Sequence, residues 1–309
     1  MARAMDNTAN HYKIRLMVNP QTRALKVVCN LQLIADTPLD SLSLLLNKDL
    51  KINRFSSKES KSHSIYPRVK SLPYPLKNTS EIVVRFAKRL QRGQVANLYF
   101  EYEGVVDNIK LELGRELLTP QWTELLTGAG WYPLCLAENM QTYQVEVITP
   151  QADYKVEGGG KVSKKSPTKW VVTETHPANR ISLLISNALH QKIVKADKTI
   201  IALYALNPKD TLLTKIATAA QQSLGLYSEQ YGKPIGSDTV KFFFANGSIS
   251  INFPTEAYSS NGSFVVLQTN NNEQTQIETV AHEVAHFWWI HAKLLSYHEF
   301  LNVYVLRIS

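Results

Sequence analysis

From residue 11 onwards the apolar residues fall on every second position, a period that fits a β-strand and excludes an amphipathic helix. Tyr12, Ile14, Leu16 and Val18 form one such run, and Leu25, Val27, Cys29, Leu31 and Leu33 form another. The turn-forming stretch Asn19-Pro20-Gln21-Thr22 lies between them. Together they predict a hairpin with one face in a core and the other in water. Further strand candidates occupy 81–87, 95–103, 142–149, 168–175, 180–186 and 199–205, separated by turn residues. No helical period of comparable strength interrupts them. An antiparallel sandwich or saddle-like sheet is the fold that such a run of strands specifies.

The texture changes near residue 205. Asn207 reads as a helix cap and Pro208 as its first position, with Asp210 in the first turn. Leu213, Ile216, Ala217, Ala220, Leu224 and Tyr227 then mark one face until Gly232 and Pro234 end it. Strand candidates follow at 239–245, 248–253 and 263–268, then a polar loop at 269–274 and a second helix. The expected organisation is a β-rich N-terminal domain over 1–205 and a mixed α and β domain over 206–309. The fold class is α+β.

Composition narrows the function classes. With 44% hydrophobic residues in 309, the chain has ample material for real cores. Its two cysteines, Cys29 and Cys135, are too few for a disulfide framework and read as ordinary thiols in β-structure. No apolar run reaches the length of a membrane span, and the first residues lack a signal-peptide core. A soluble protein is expected, cytoplasmic, or periplasmic or secreted if a leader has been removed. The net charge of +8 is dispersed, its densest cluster being 161–170, which reads as an exposed hairpin loop. No nucleic-acid-binding motif accompanies that charge, so nucleic acid is not expected as a partner.

The chemistry lies in the second helix. Its residues 275–291 contain His282-Glu283-x-x-His286, and residues four apart on a helix share a face. Thr275 and Glu278 fit a capping box, and Ile277, Val280, Ala281, Val284 and Trp288 keep the helical period. This is the zinc pattern of metallopeptidases, in which two imidazoles hold Zn²⁺ and the glutamate between them is the general base. The alternative is a helix whose two histidines are half-buried surface residues and whose glutamate is solvated; the capped apolar helix favours the metal pair. His291 lies about 140° round the helix from His286 and reads as a surface residue.

These stretches resemble the aminopeptidase N-like zinc metallopeptidases of the gluzincin group. Residues 11–27 look like that family's opening hairpin, 125–134 like a segment of its β-domain, and 206–232 like the first helix of its thermolysin-like catalytic domain. Val280-Ala281-His282-Glu283-Val284-Ala285-His286-Phe287-Trp288-Trp289 is the most specific match and resembles bacterial members. The resemblance implies a β-rich N-terminal domain and a thermolysin-like α/β catalytic domain with zinc on His282 and His286. It also implies Glu283 as base and hydrolysis of a peptide substrate at its N-terminal residue.

Two departures accompany the match. The family's Gly-x-Met-Glu-Asn strand, whose glutamate binds the substrate amine, corresponds here to 256–267, where Glu256 reads as a solvated loop carboxylate. The third zinc ligand should be a glutamate on the next helix, but Val303 stands in its place after Phe300-Leu301-Asn302. Glu299, four residues earlier and so on a similar face, is the substitute ligand, with His298 beside it. The resemblance stops there. It implies the N-terminal portion of a catalytic domain, with a peptidase impaired by truncation; the alternative is a catalytically inactive peptide-binding or scaffold fragment.

Overall fold

A computed structural model describes residues 9–66, 78–107, 117–126, 129–135, 140–178, 180–196, 199–206, 210–232, 239–245, 257–260, 264–268 and 273–289. The strands of the first part are β1 (Asn10–Asn19), β2 (Ala24–Ile34), β3 (Leu39–Asn47), β4 (Lys51–Ser56), β5 (Ser60–Tyr66), β6 (Thr79–Leu90) and β7 (Val95–Val105). They continue with β8 (Thr123–Leu125), β9 (Leu134–Cys135), β10 (Gln141–Ile148), β11 (Lys155–Gly158), β12 (Lys161–Ser166), β13 (Lys169–Ala178) and β14 (Leu183–Ser186). Then come β15 (His190–Ala196), β16 (Thr199–Ala205), α1 (Asp210–Tyr231), β17 (Thr239–Ala245), β18 (Ala257–Ser260), β19 (Phe264–Gln268) and α2 (Glu273–Trp289).

The predicted hairpin is β1–β2, in register from His11 opposite Gln32 to Asn19 opposite Ala24. It lies inside a seven-stranded sheet of order β12-β13-β10-β1-β2-β7-β4, in which β1 and β10 run parallel. A four-stranded sheet, β5-β6-β3-β9, lies against it, and the alternating apolar residues of both meet in one core. Tyr12, Ile14, Leu16, Val27, Leu31, Leu44, Ile82, Val84 and Phe100 are among its buried members. The period of two is thus the signature of a sheet wet on one side and dry on the other. Cys29 is buried in this core and Cys135 half-buried on β9, both as free thiols. The basic cluster at 161–170 differs from its expected form: residues 161–166 are themselves strand β12, paired with β13 at the sheet edge, and its lysines occupy solvent-facing positions of that strand.

The remaining strands make a five-stranded sheet of order β15-β16-β17-β19-β18. Strands β16 and β17 are parallel and joined through α1, a β-α-β unit. Successive residues of β16 serve two cores. Ile201, Leu203 and Ala205 face the helices, packing with Leu213, Ile216 and Leu224 of α1 and Val280, Val284 and Phe287 of α2. Ala202 and Tyr204, with Phe243 of β17, face the other way and pack with Trp122, Leu184 and Leu189. Burial on both sides is why residues 201–205 carry a continuous apolar run. The strand expected at 248–253 lies outside the described residues.

The contact between the first part of the chain and the five-stranded sheet also holds a charge. Lys241 of β17 is buried, and its Nζ donates to Glu157 Oε2 at 3.1 Å, Gly158 O at 3.0 Å and Gly160 O at 3.1 Å. An ammonium has three hydrogens, and three acceptors take them. Gly160 has to be a glycine, since a Cβ there would lie 2.1 Å from the carbonyl oxygen of Thr173. Burial and the neighbouring Glu157 carboxylate push the Tyr204 phenol well above its usual range, so it stays a donor, and its oxygen accepts from Gln191 Nε2 at 2.9 Å.

Candidate active site

Helix α2 carries every described residue of the candidate site, and its apolar stripe sets its orientation. Val280, Val284 and Phe287 recur at helical spacing and are fully buried against the five-stranded sheet and α1. The helix begins at Glu273, one turn earlier than a cap at Thr275–Glu278 would place it. Its far end is tied to α1 by Trp288, whose Nε1 donates to Gly232 O at 2.9 Å and whose ring meets Tyr227 edge-on at 5.6 Å. Gly232 has φ +81°, the left-handed conformation in which glycine ends a helix, as the sequence predicts. The expected start of α1 at Asn207 and Pro208 lies outside the described residues, and its first described residue is Asp210.

That orientation fixes the chemistry of the neighbouring positions. His282 is half-buried, and burial lowers its pKa, which favours the neutral imidazole that can ligate a metal. Glu283 is 4% exposed, and burial raises its pKa to about 7. Its Oε2 has no hydrogen-bond partner among the described residues. A buried, orphaned carboxylate oxygen is costly in a structural role, and such groups concentrate where chemistry needs them. His286 lies one turn beyond His282 on the same helix, while its side chain lies outside the described residues. Glu256, His291, His298, Glu299 and Val303 also lie outside them.

His282 and Glu283 fit the chemistry of a zinc site. Zinc takes neutral imidazoles, and in a His-Glu-x-x-His helix the glutamate is the proton carrier rather than a ligand. His282 supplies the neutral ring, and Glu283 supplies a carboxylate with one oxygen uncommitted and an affinity for protons poised near neutrality.

At the level of sequence, the chain matches no known family and no curated protein. Solved structures do match. The M1 zinc metallopeptidase from Deinococcus radiodurans superposes with a TM-score of 0.60 at 15% identity, covering 91% of this chain and 63% of that one. A point mutant of that enzyme bound to a Tyr-Ser-Ala substrate gives 0.63 at 14% identity, and a two-domain M1 zinc metallopeptidase mutant bound to L-arginine gives 0.62 at 15%. Each covers 89% of this chain and 63% of its own. The chain has the M1 zinc metallopeptidase fold. It is a β-rich N-terminal part followed by thermolysin-like α/β structure, and it spans 63% of the length of the structures it matches. Among the described residues no helix is long and apolar enough to cross a membrane.

The sequence reading did not find Lys241. Its signal was a lone lysine inside the apolar strand Thr239-Val240-Lys241-Phe242-Phe243-Phe244-Ala245, a charge that must find partners once the strand is buried.

Proposed function

We propose that the chain belongs to a zinc-dependent metallopeptidase with aminopeptidase-like action on peptides, of which it forms the β-domain and the first part of the catalytic domain. The observation that carries this reading is the orphaned, buried Oε2 of Glu283 on the same turn as the half-buried His282, in a chain with this fold. His282 and His286 hold the ion, with Glu299 as the third ligand in place of the family glutamate. Zinc, when bound, supplies the positive charge that polarises a scissile carbonyl and acidifies water. Glu283 Oε2 takes a proton from the attacking water and returns it to the leaving nitrogen, which its pKa of about 7 allows at neutral pH. The substrate is a peptide, as it is in one of the structurally similar enzymes. Strands β15 and β16 share a sheet with β17, so we place the division between the two domains before residue 190 rather than at 205.

The test pairs metal content with turnover. Glu283→Gln keeps the wild-type zinc stoichiometry and loses at least about a hundredfold in aminoacyl-anilide hydrolysis, in the range expected for a general base. His282→Ala loses the zinc as well. Turnover in Glu283→Gln equal to wild type would refute the mechanism, and a chain that never takes up zinc would favour the scaffold alternative.

A further inference from the structure

The register of the seven-stranded sheet carries one row of polar side chains unbroken across six strands. Thr173 of β13, Gln144 of β10, Lys13 of β1, Asn30 of β2, Tyr99 of β7 and Ser56 of β4 are successive cross-strand partners. Partnered residues point to the same face, so the row runs about 24 Å at the usual strand spacing. A second row lies beside it: Thr142, His11, Gln32 and Asn97. Two grooves follow these rows and share Lys13 and Asn30. One, of about 710 Å³, crosses β1, β2 and β7 to the end of β4; the other, of about 450 Å³, crosses β2, β1, β10 and β13.

The chemistry of this face is specific. Asn30, Gln32, Asn97 and Gln144 are exposed, and each side-chain amide offers two donor hydrogens and an acceptor oxygen. No other group among the described residues engages any of these four amides. The carboxylate of Glu146 is already held by Arg15 at 3.2 Å and Lys169 at 2.7 Å. Lys13, where the two grooves meet, has no ion-pair partner among the described residues. A protein partner would want apolar anchors, which these rows lack apart from Tyr99. A nucleic acid would want an unbroken cationic track, but Glu59, Glu101 and Glu146 interrupt this one. Regularly spaced amides and hydroxyls around the Lys13 ammonium match a linear, hydroxyl-rich polymer with carboxylates along it.

We propose that this face binds an extended oligosaccharide carrying carboxylate groups. The amides of Asn30, Gln32, Asn97 and Gln144 bond its hydroxyls, and Lys13 pairs with a carboxylate. This site lies outside the candidate active site and is independent of peptidase action.

Isothermal titration calorimetry with a galacturonate hexamer tests it, alongside a neutral glucan hexamer, dextran sulfate and polyuridylate. The hexamer binds the wild-type chain. Asn30→Ala combined with Gln144→Ala weakens that binding at least tenfold, and Lys13→Met removes the preference over the neutral glucan, with unfolding midpoints unchanged in both. No heat with the galacturonate hexamer overturns the proposal. So does galacturonate binding that the paired amide substitution leaves unchanged, or tighter binding of dextran sulfate or polyuridylate, since either means that charge alone or a nucleic acid is what the face takes.

Discussion

Replacing Lys241 with methionine should cost the chain about 3 kcal/mol of stability, because it strands the acceptors that the ammonium now satisfies. Removing one partner of a buried pair generally costs about 3–5 kcal/mol. The side chains here are 9% and 17% exposed for Lys241 and Glu157, so the pair is buried, though Glu157 keeps some contact with water. Tyr204 also remains beside Glu157 as a donor, which places the expected value at the low end of that range. The two glycine carbonyls, Gly158 O and Gly160 O, lose their charged donor. Urea unfolding followed by tryptophan fluorescence reads the effect. With a slope of about 1–3 kcal/mol per molar, the midpoint falls by about 1 M or more. Adding Glu157→Gln to Lys241→Met removes the stranded charge and should restore about 1–2 kcal/mol. A single variant within about 0.5 kcal/mol of wild type, or a double variant no better than the single, would refute the reasoning, because either means that water already reaches these groups.

Three further outcomes are expected. Val303→Glu, placing a carboxylate where the resemblance puts the third ligand, raises zinc occupancy in dialysis against limiting metal; unchanged occupancy would mean that position 303 does not face the ion. Phe287→Ala opens a cavity between α2, α1 and the five-stranded sheet and costs about 3–5 kcal/mol, read as a fall in the unfolding midpoint. Burial first and Lys13 second lower the pKa of His11, so the fold prefers its neutral form. Its contribution is full above the unfolded pKa of 6.5 and is lost as pH falls through the lower folded value. His11→Gln should therefore flatten the acid limb of the stability profile below about pH 6.5, and an identical limb would show that other groups set it.

Where one physical rule dominates a segment, the sequence was legible. The runs Tyr12 to Val18 and Leu25 to Leu33 have a wet face and a dry face, so their period is unambiguous and the hairpin follows. Helix α2 reads from the spacing of Ile277, Val280, Ala281, Val284 and Trp288, of which Val280 and Val284 are core residues, and its fold context from the His-Glu-x-x-His pattern it carries. Residues 199–205 carry no such period, because β16 is buried on both sides from Ile201 to Ala205. Its pattern Thr199-Ile200-Ile201-Ala202-Leu203-Tyr204-Ala205 has no period, and only pairing with β17 across α1 reveals which sheet owns it. The basic run at 161–166 reads as a loop because an edge strand can hold charge at nearly every position, as lysine there guards the open edge. Of the site, the sequence marks His282 and Glu283, but not that Glu283 is sealed from water. That depends on how α2 packs, a long-range fact no window of residues encodes.

The parallel pairing of β1 with β10 has a consequence for how the chain is made. His11 finds Thr142 across 131 positions of sequence, whereas its other neighbour, β2, is present almost at once. At synthesis rates of about 5–20 residues per second, β1 waits on the order of ten seconds with one edge of backbone unpaired. During that interval Tyr12, Ile14, Leu16 and Val18 make an unprotected template for any strand from another chain. Nascent chains of this protein should therefore be most prone to aggregate when interrupted before residue 141, and ribosome-bound fragments ending there are the ones that need a chaperone.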